Sequence, residues 1–186
     1  SLDEYGLPKT IISTFTSNND DILGEEKHIL AQPMRFYVQF MQKPIIFSSG
    51  TIKYLKETPG VIVWEAIHSA ENWALKIQGT LECDGYINYS IQLTAQKDAD
   101  IDDIRLEIPY NKNIAQYLMG LGLPGGIKPK NHEWKWNINL NNAMVWIGTV
   151  NAGLQFKLKH ITPDWTICDL KSTGLYRDWS NNGKGG

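Results

Sequence analysis

The chain has 186 residues, eighteen basic and twenty acidic, with a formal charge of −2 and no basic run or stripe. That balance weighs against nucleic acid, whose binding is dominated by phosphate neutralisation. Its longest apolar runs, such as Val61-Ile-Val-Trp64, fall far short of a membrane span, and Ser1-Leu-Asp-Glu-Tyr5 carries acids where a secretory signal carries bases.

Such a length suits one domain, here expected over 1–186, with a core that needs neither disulfide nor metal to hold it. Cys83 and Cys168 lie far apart and outside any C-x-x-C pair, so they read either as a disulfide or as two small buried side chains. Aromatics make up 11% of the chain, with seven Trp and eight Tyr, which suits a thick β core or a sugar-facing surface.

Taken in chain order, the dominant signal is period-two alternation, the mark of half-buried strands. Met34, Phe36, Val38 and Phe40 share a face against Arg35, Tyr37 and Gln39. Strands are also predicted over 45–47, 52–54 and 61–67. Leu75, Ile77, Gly79 and Leu81 then oppose Lys76, Gln78, Thr80 and Glu82; after the Asp84-Gly85 turn signal, Ile87, Tyr89, Ile91 and Leu93 resume the pattern as a hairpin. Ile104, Leu106 and Ile108 form a strand ended by Pro109, which cannot donate to a ladder. One short connecting helix is predicted, capped by Asn113, with Ile114, Tyr117 and Leu118 on one face and Gly120 as its stop. Further strands are predicted over 135–140, 144–149, 153–159 and 165–170. Many strands at hairpin spacing with one or two short helices argue for an all-β, antiparallel β-sandwich of two packed sheets. The tail Ser180-Asn-Asn-Gly-Lys-Gly-Gly186 brings no closing strand, so the chain reads as a piece of a longer multidomain protein.

The segment 119–158 carries the most information, combining glycines at 120, 122, 125, 126, 148 and 153 with Trp134, Trp136 and Trp146. Glycines there imply backbone conformations that a β-carbon forbids, or close approach to another surface. Gly120-x-Gly122-x-x-Gly125 matches the dinucleotide fingerprint by letter only. A helix-like segment precedes it, Pro124 lies inside it and Pro129 follows, where the fingerprint needs a strand before and a helix after. Trp134 and Trp136 are two apart and share a face if the segment is a strand; they read either as core or inter-domain packing or as a sugar-facing platform. Trp146, between Val145 and Ile147, reads as core, and Asn151-Ala-Gly153 as a turn.

Candidate chemistry is sparse. The acid pairs Asp3-Glu4, Asp20-Asp21, Glu25-Glu26 and Asp102-Asp103 lie at polar ends or loops, whereas a glycosidase needs carboxyls held in a cleft. His28, His68, His132 and His160 show no metal-ligand spacing, Ser48-Ser49-Gly50 lacks the nucleophile elbow, and the sequon Asn88-Tyr-Ser90 falls inside a predicted strand. No catalytic residue, metal ligand or cofactor site is nominated.

Several motifs keep both order and spacing: Gly6-Leu-Pro8, Ile29-Leu-Ala-x-Pro33, Leu106-Glu-Ile-Pro109, Met119-Gly-Leu-Gly, Gly125-Gly, Trp134-Lys-Trp136, Val145-Trp-Ile-Gly148, Val150-Asn-Ala-Gly-Leu154, Lys157-Leu-Lys159 and Gly183-Lys-Gly-Gly186. Together they resemble the N-terminal β-sandwich domain of bacterial proteins of the glycoside hydrolase family 123 type. The resemblance implies a sandwich preceding a barrel-like catalytic domain in an extracellular or periplasmic bacterial protein. In that family a retaining β-N-acetylgalactosaminidase uses the substrate's acetamido group as nucleophile, served by an adjacent Asp and Glu in the barrel, beyond this chain.

The expected role is therefore a non-catalytic module that packs on and shapes the catalytic domain of the same polypeptide. Its expected contact residues are Trp134, Trp136, Asn137, Asn151, Gly122 and Gly125. Two alternatives stand beside it: an independent carbohydrate-binding module taking a glycan with N-acetylhexosamine, and an enzyme whose acid pair is assembled across strands. No nucleic acid or membrane partner is expected.

Overall fold

The computed structural model describes residues 1–15, 24–130, 133–134, 144–157, 159 and 177–178. Its strands, in chain order, are β1 (Ile12–Phe15), β2 (Glu25–His28), β3 (Arg35–Phe40), β4 (Lys43–Pro44), β5 (Lys53–Glu57), β6 (Val61–Ala70), β7 (Trp73–Glu82) and β8 (Ile87–Ala95). They continue with β9 (Asp103–Glu107), β10 (Tyr117–Gly120), β11 (Leu123–Ile127), β12 (Glu133–Trp134), β13 (Met144–Thr149), β14 (Ala152–Lys157) and β15 (Arg177–Asp178). All pairings among them are antiparallel, and the fold is all-β. The chain divides into two compact units, Ser1–Thr10 with Pro33–Ile108, and Ile11–Gln32 with Pro109–Gly186.

The first unit holds sheets of order β4-β3-β9 and β5-β6-β7-β8. Alternation turns Trp64, Ala66 and His68 of β6 inward, opposite Gly79, Ile77 and Leu75 of β7, and none of these five side chains is more than 1% exposed. From the other sheet Val38 is equally buried, and Phe40 meets Trp73 edge-on with ring centroids 5.5 Å apart, so the two apolar faces form a small sandwich. The β7–β8 hairpin turns where Asp84-Gly85 predicts: Gly85 has φ +87°, and the Tyr86 N–H donates to Asp84 Oδ1 at 2.9 Å.

Trp64 ties the opening segment to this core. Its ring lies against Gly79, where a Cβ would overlap the indole, and its Nε1–H donates to the Gly6 carbonyl at 2.8 Å. Gly6 has φ +80°, within a turn closed by Asp3, whose Oδ1 accepts the N–H groups of Tyr5 at 3.0 Å and Leu7 at 2.8 Å. Leu7 is 1% exposed, which makes the strap Ser1–Thr10 part of the core.

The second unit contains the sheet β11-β10-β13-β14, the hairpin β1-β2 and the short pair β12-β15. Leu118, Val145, Ile147 and Ala152 are buried together with Ile29, Leu30, Tyr110 and Ile114, and the Tyr110 hydroxyl donates to the Leu154 carbonyl at 3.3 Å.

Several expectations are corrected. No helix occurs among the described residues: the Asn111 carbonyl accepts Ile114 N–H at 2.9 Å and Ala115 N–H at 3.0 Å in a single turn, after which the chain enters β10. A helix of that length is marginal by itself, and pairing β10 with both β11 and β13 satisfies more backbone groups. Residues 45–47 are not a strand, because Ile45 N–H still reaches the Val38 carbonyl but the Phe47 carbonyl accepts the Tyr5 hydroxyl instead of a ladder partner. Cys83 is a free, exposed thiol and not the disulfide or small buried side chain expected. Trp146 also departs from its expected place in the core, at the site described below. The strands predicted over 135–140 and 165–170, and Cys168, lie outside the described residues.

Candidate functional site

In β13 the alternation that buries Val145 and Ile147 sends Trp146 to the opposite face, where it is half-buried and not part of the apolar core. Flanking apolar residues do not make a strand residue internal; its own parity does. On this outer face the indole covers two paired glycines. A Cβ on Gly148 would stand 2.5 Å from Trp146 Cζ2, and one on Gly153 would stand 2.7 Å from the same atom. Only glycine leaves the floor on which this ring lies.

Register brings further side chains to the same face. Met119 of β10 and Gln155 of β14 stand opposite Trp146, and Tyr117 stands opposite Gly148 on one side and Ile127 on the other. Met119 is 48% exposed, Ile127 83%, and Tyr117 36%. Gln155 and Lys157, also exposed, form a polar margin along β14. The result is a broad surface of aromatic and thioether groups over a glycine floor.

The residues nominated from sequence separate around this sheet. Gly122, with φ +84°, forms the tip of the β10–β11 hairpin, and Gly125 on β11 borders Met119, whose Sδ would lie 3.8 Å from a Cβ there. Gly120, with φ +112°, has no room for a side chain because a Cβ would overlap the Met144 carbonyl oxygen. The glycine series is thus a hairpin, not a phosphate loop. Asn151 lies at the turn joining β13 to β14, at the other end of the sheet, half-buried. The Trp134 backbone pairs with Arg177 in the separate β12-β15 pair, and Trp136 and Asn137 lie outside the described residues. Tyr117, Met119 and Trp146 were not nominated; the signal for them was the small residues Gly148 and Gly153 placed at the same parity as Trp146.

Asp3, Asp102, Asp103 and Glu107 are committed to structure. Asp3 closes the strap turn; burial raises its pKa above the ordinary value, partly offset by the two backbone N–H groups it accepts. Glu25 and Glu26 are consecutive on β2 and therefore point to opposite faces. Asp102 accepts the Gln42 N–H at 2.7 Å at the β3–β4 turn, and Asp103 pairs with Arg105 at 2.7 Å. Glu107 joins Arg35 and Arg105; burial alone would raise its pKa, but those two guanidiniums hold it below the ordinary value. Asp20-Asp21 lies outside the described residues.

His68 is a core histidine: Nδ1 lies 3.0 Å from the Ser48 carbonyl and Tyr5 packs on its ring at 4.6 Å. Among the described residues no group of three or more His, Cys, Asp or Glu is placed to hold a metal ion. An open depression bordered by Asp3, Glu4, Tyr5 and Lys9 contains the adjacent Asp-Glu pair, but Asp3 is bonded back into its own turn.

A family model described as glycoside hydrolase 123, third domain, matches residues 1–186. The chain belongs to that family. No curated protein and no solved structure gives a significant match. The family resemblance read from the ordered motifs is thereby supported over the whole chain, while the matched description names a third domain and lends nothing to an N-terminal placement.

Proposed function

We propose that this glycoside hydrolase 123 third domain is a non-catalytic accessory module that packs on the catalytic domain of its own polypeptide through the outer face of β11-β10-β13-β14. One observation carries the reading: Tyr117, Met119 and Trp146 stand side by side, with Trp146 laid over Gly148 and Gly153. Aromatic residues and methionine are enriched where protein surfaces meet, and an exposed Met119 and Ile127 add apolar area suited to a protein partner. In the intact polypeptide, Met119→Asp is expected to loosen the domains, seen as faster proteolysis between them, while the module alone stays folded because Met119 is already exposed. Unchanged proteolysis would remove the contact face from the proposal. Hydrolysis of a chromogenic N-acetylgalactosaminide by the chain alone would remove its non-catalytic character.

A second reading, carbohydrate binding, is favoured by the flat indole of Trp146, since an aromatic face suits the apolar side of a pyranose. Affinity electrophoresis separates the two. Retardation by a glycan bearing N-acetylhexosamine, abolished by Trp146→Ala, would favour sugar over domain packing.

A further inference from the structure

We propose that β8 is a self-pairing edge, which joins antiparallel to β8 of a second copy of this chain. The inference rests on the edge of the β5-β6-β7-β8 sheet and not on the accessory-module reading. β8 runs nine residues in unbroken register with β7, from Leu81 opposite Ile87 to Trp73 opposite Ala95. Among the described residues no backbone hydrogen bond reaches it from any segment other than β7, and its outer row of N–H and C=O groups is left unpaired by them.

Exposed edges are usually blunted by charge, proline, a bulge or brevity. The other edges of this unit follow that rule. β5 carries Lys53, Lys56 and Glu57 and a register shift between Tyr54 and Lys56. β4 is two residues long and includes Pro44, and β9 bears Asp103, Arg105 and Glu107. β8, Ile-Asn-Tyr-Ser-Ile-Gln-Leu-Thr-Ala, has no charge, no proline and no bulge. Its inward side chains, Tyr89, Ile91 and Leu93, stay half-buried, whereas their β7 neighbours Ile77 and Leu75 are 0% and 1% exposed. Apolar surface is left that a further strand would cover.

The sequence of β8 fits its own reverse. About a two-fold axis at Ile91, Tyr89 falls opposite the second copy's Leu93, Ser90 opposite its Gln92 and Asn88 opposite its Thr94. Apolar side chains then meet apolar ones on the inner face and polar ones meet polar ones on the outer face. A neutral strand meets no like charge in its copy, which is the electrostatic condition that a charged edge would fail.

The test uses the whole 186-residue chain. Sedimentation over a concentration series is expected to show a monomer–dimer equilibrium, with amide protection of β8 rising with concentration. Ser90→Glu with Gln92→Glu sets like charges opposite each other twice in this register and is expected to weaken the dimer about tenfold. Ser90→Lys with Gln92→Glu sets opposite charges there and is expected to restore it. Both positions are exposed, and unchanged circular dichroism and thermal unfolding verify that the variants fold. A chain that remains monomeric at every concentration overturns the proposal, as does a dimer indifferent to Ser90→Glu with Gln92→Glu.

Discussion

Among the described residues Trp64 and Trp146 lie on glycine, with different consequences. Trp64 is sealed in the core with its Nε1–H bonded to Gly6, so the ring has no freedom to retreat from Gly79. Gly79→Ala is therefore expected to destabilise the chain by about 2 kcal/mol, as overpacking of a filled core does. Gly60→Ala, where nothing lies within 4 Å of the added carbon, is expected to stay within about 0.5 kcal/mol of the parent. Urea unfolding of the two variants measures the contrast, and equal midpoints would contradict the Trp64 lock. Trp146 lies over its glycines on an outer face, where the same geometry serves contact in place of packing. Asp3 adds a pH effect at this scale. Burial raises its pKa above the ordinary 3.8, so its favourable contribution to folding is full below that value and is lost as pH rises through the raised one. An asparagine at this position keeps an oxygen acceptor for the Tyr5 and Leu7 N–H groups without ionising. Asp3→Asn should thus gain stability relative to the parent as pH climbs from 3.8 into the range above; a difference that shrinks with pH would reverse the assignment.

Elements whose parity is unambiguous were legible in the sequence. The β7–β8 hairpin turns at the predicted Asp84-Gly85 because alternation and turn chemistry there agree, whereas for β13 the bounds 144–149 match Met144–Thr149 but the run of apolar residues hides the parity of Trp146. β10 was not legible: Ile114, Tyr117 and Leu118 satisfy a helical stripe, yet only hydrogen bonding to β13, distant in sequence, decides that Leu118 points inward and Tyr117 and Met119 outward. The candidate face was half legible for the same reason. Its glycines announced a close approach, but which side of the sheet Trp146 takes follows from register. β3 and β9 show what an outward face does when it is charged. Arg35, Glu107, Arg105 and Asp103 form a continuous set, with Arg105 4.2 Å from the centre of the Tyr37 ring. Glu107 has a pKa below the ordinary 4.5, so its contribution is present above that value and is lost as pH falls through the lowered one. Glu107→Gln should cost about 0.5–1 kcal/mol at neutral pH, with the gap to the parent closing in acid. Thermal melts at several pH values read this directly, and a gap independent of pH would place the loss in packing instead of charge.

At the scale of the whole molecule, the chain does not complete one unit before beginning the other. The first unit takes Ser1–Thr10 and then resumes at Pro33, while Ile11–Gln32 belongs with the residues after Ile108. A cut before Pro33 thus yields no intact unit. Residues 33–108 alone would lack the Gly6 carbonyl that accepts the Trp64 indole and the Leu7 side chain buried with it. An unpaired buried donor costs about 1–3 kcal/mol and loss of a buried leucine about 2 kcal/mol more, a large share of the stability of so small a domain. The break is short to bridge, because the Met34 N–H donates to the Pro8 carbonyl at 2.9 Å, which holds the two ends of the first unit side by side. Joining residues 1–10 to 33–108 through a few glycines is therefore expected to give a cooperative thermal transition with the fluorescence of the buried indoles of Trp64 and Trp73, whereas 33–108 alone should melt well below it or not fold. Identical melting of the two fragments would show that the strap is an accessory to the first unit and not a member of its core.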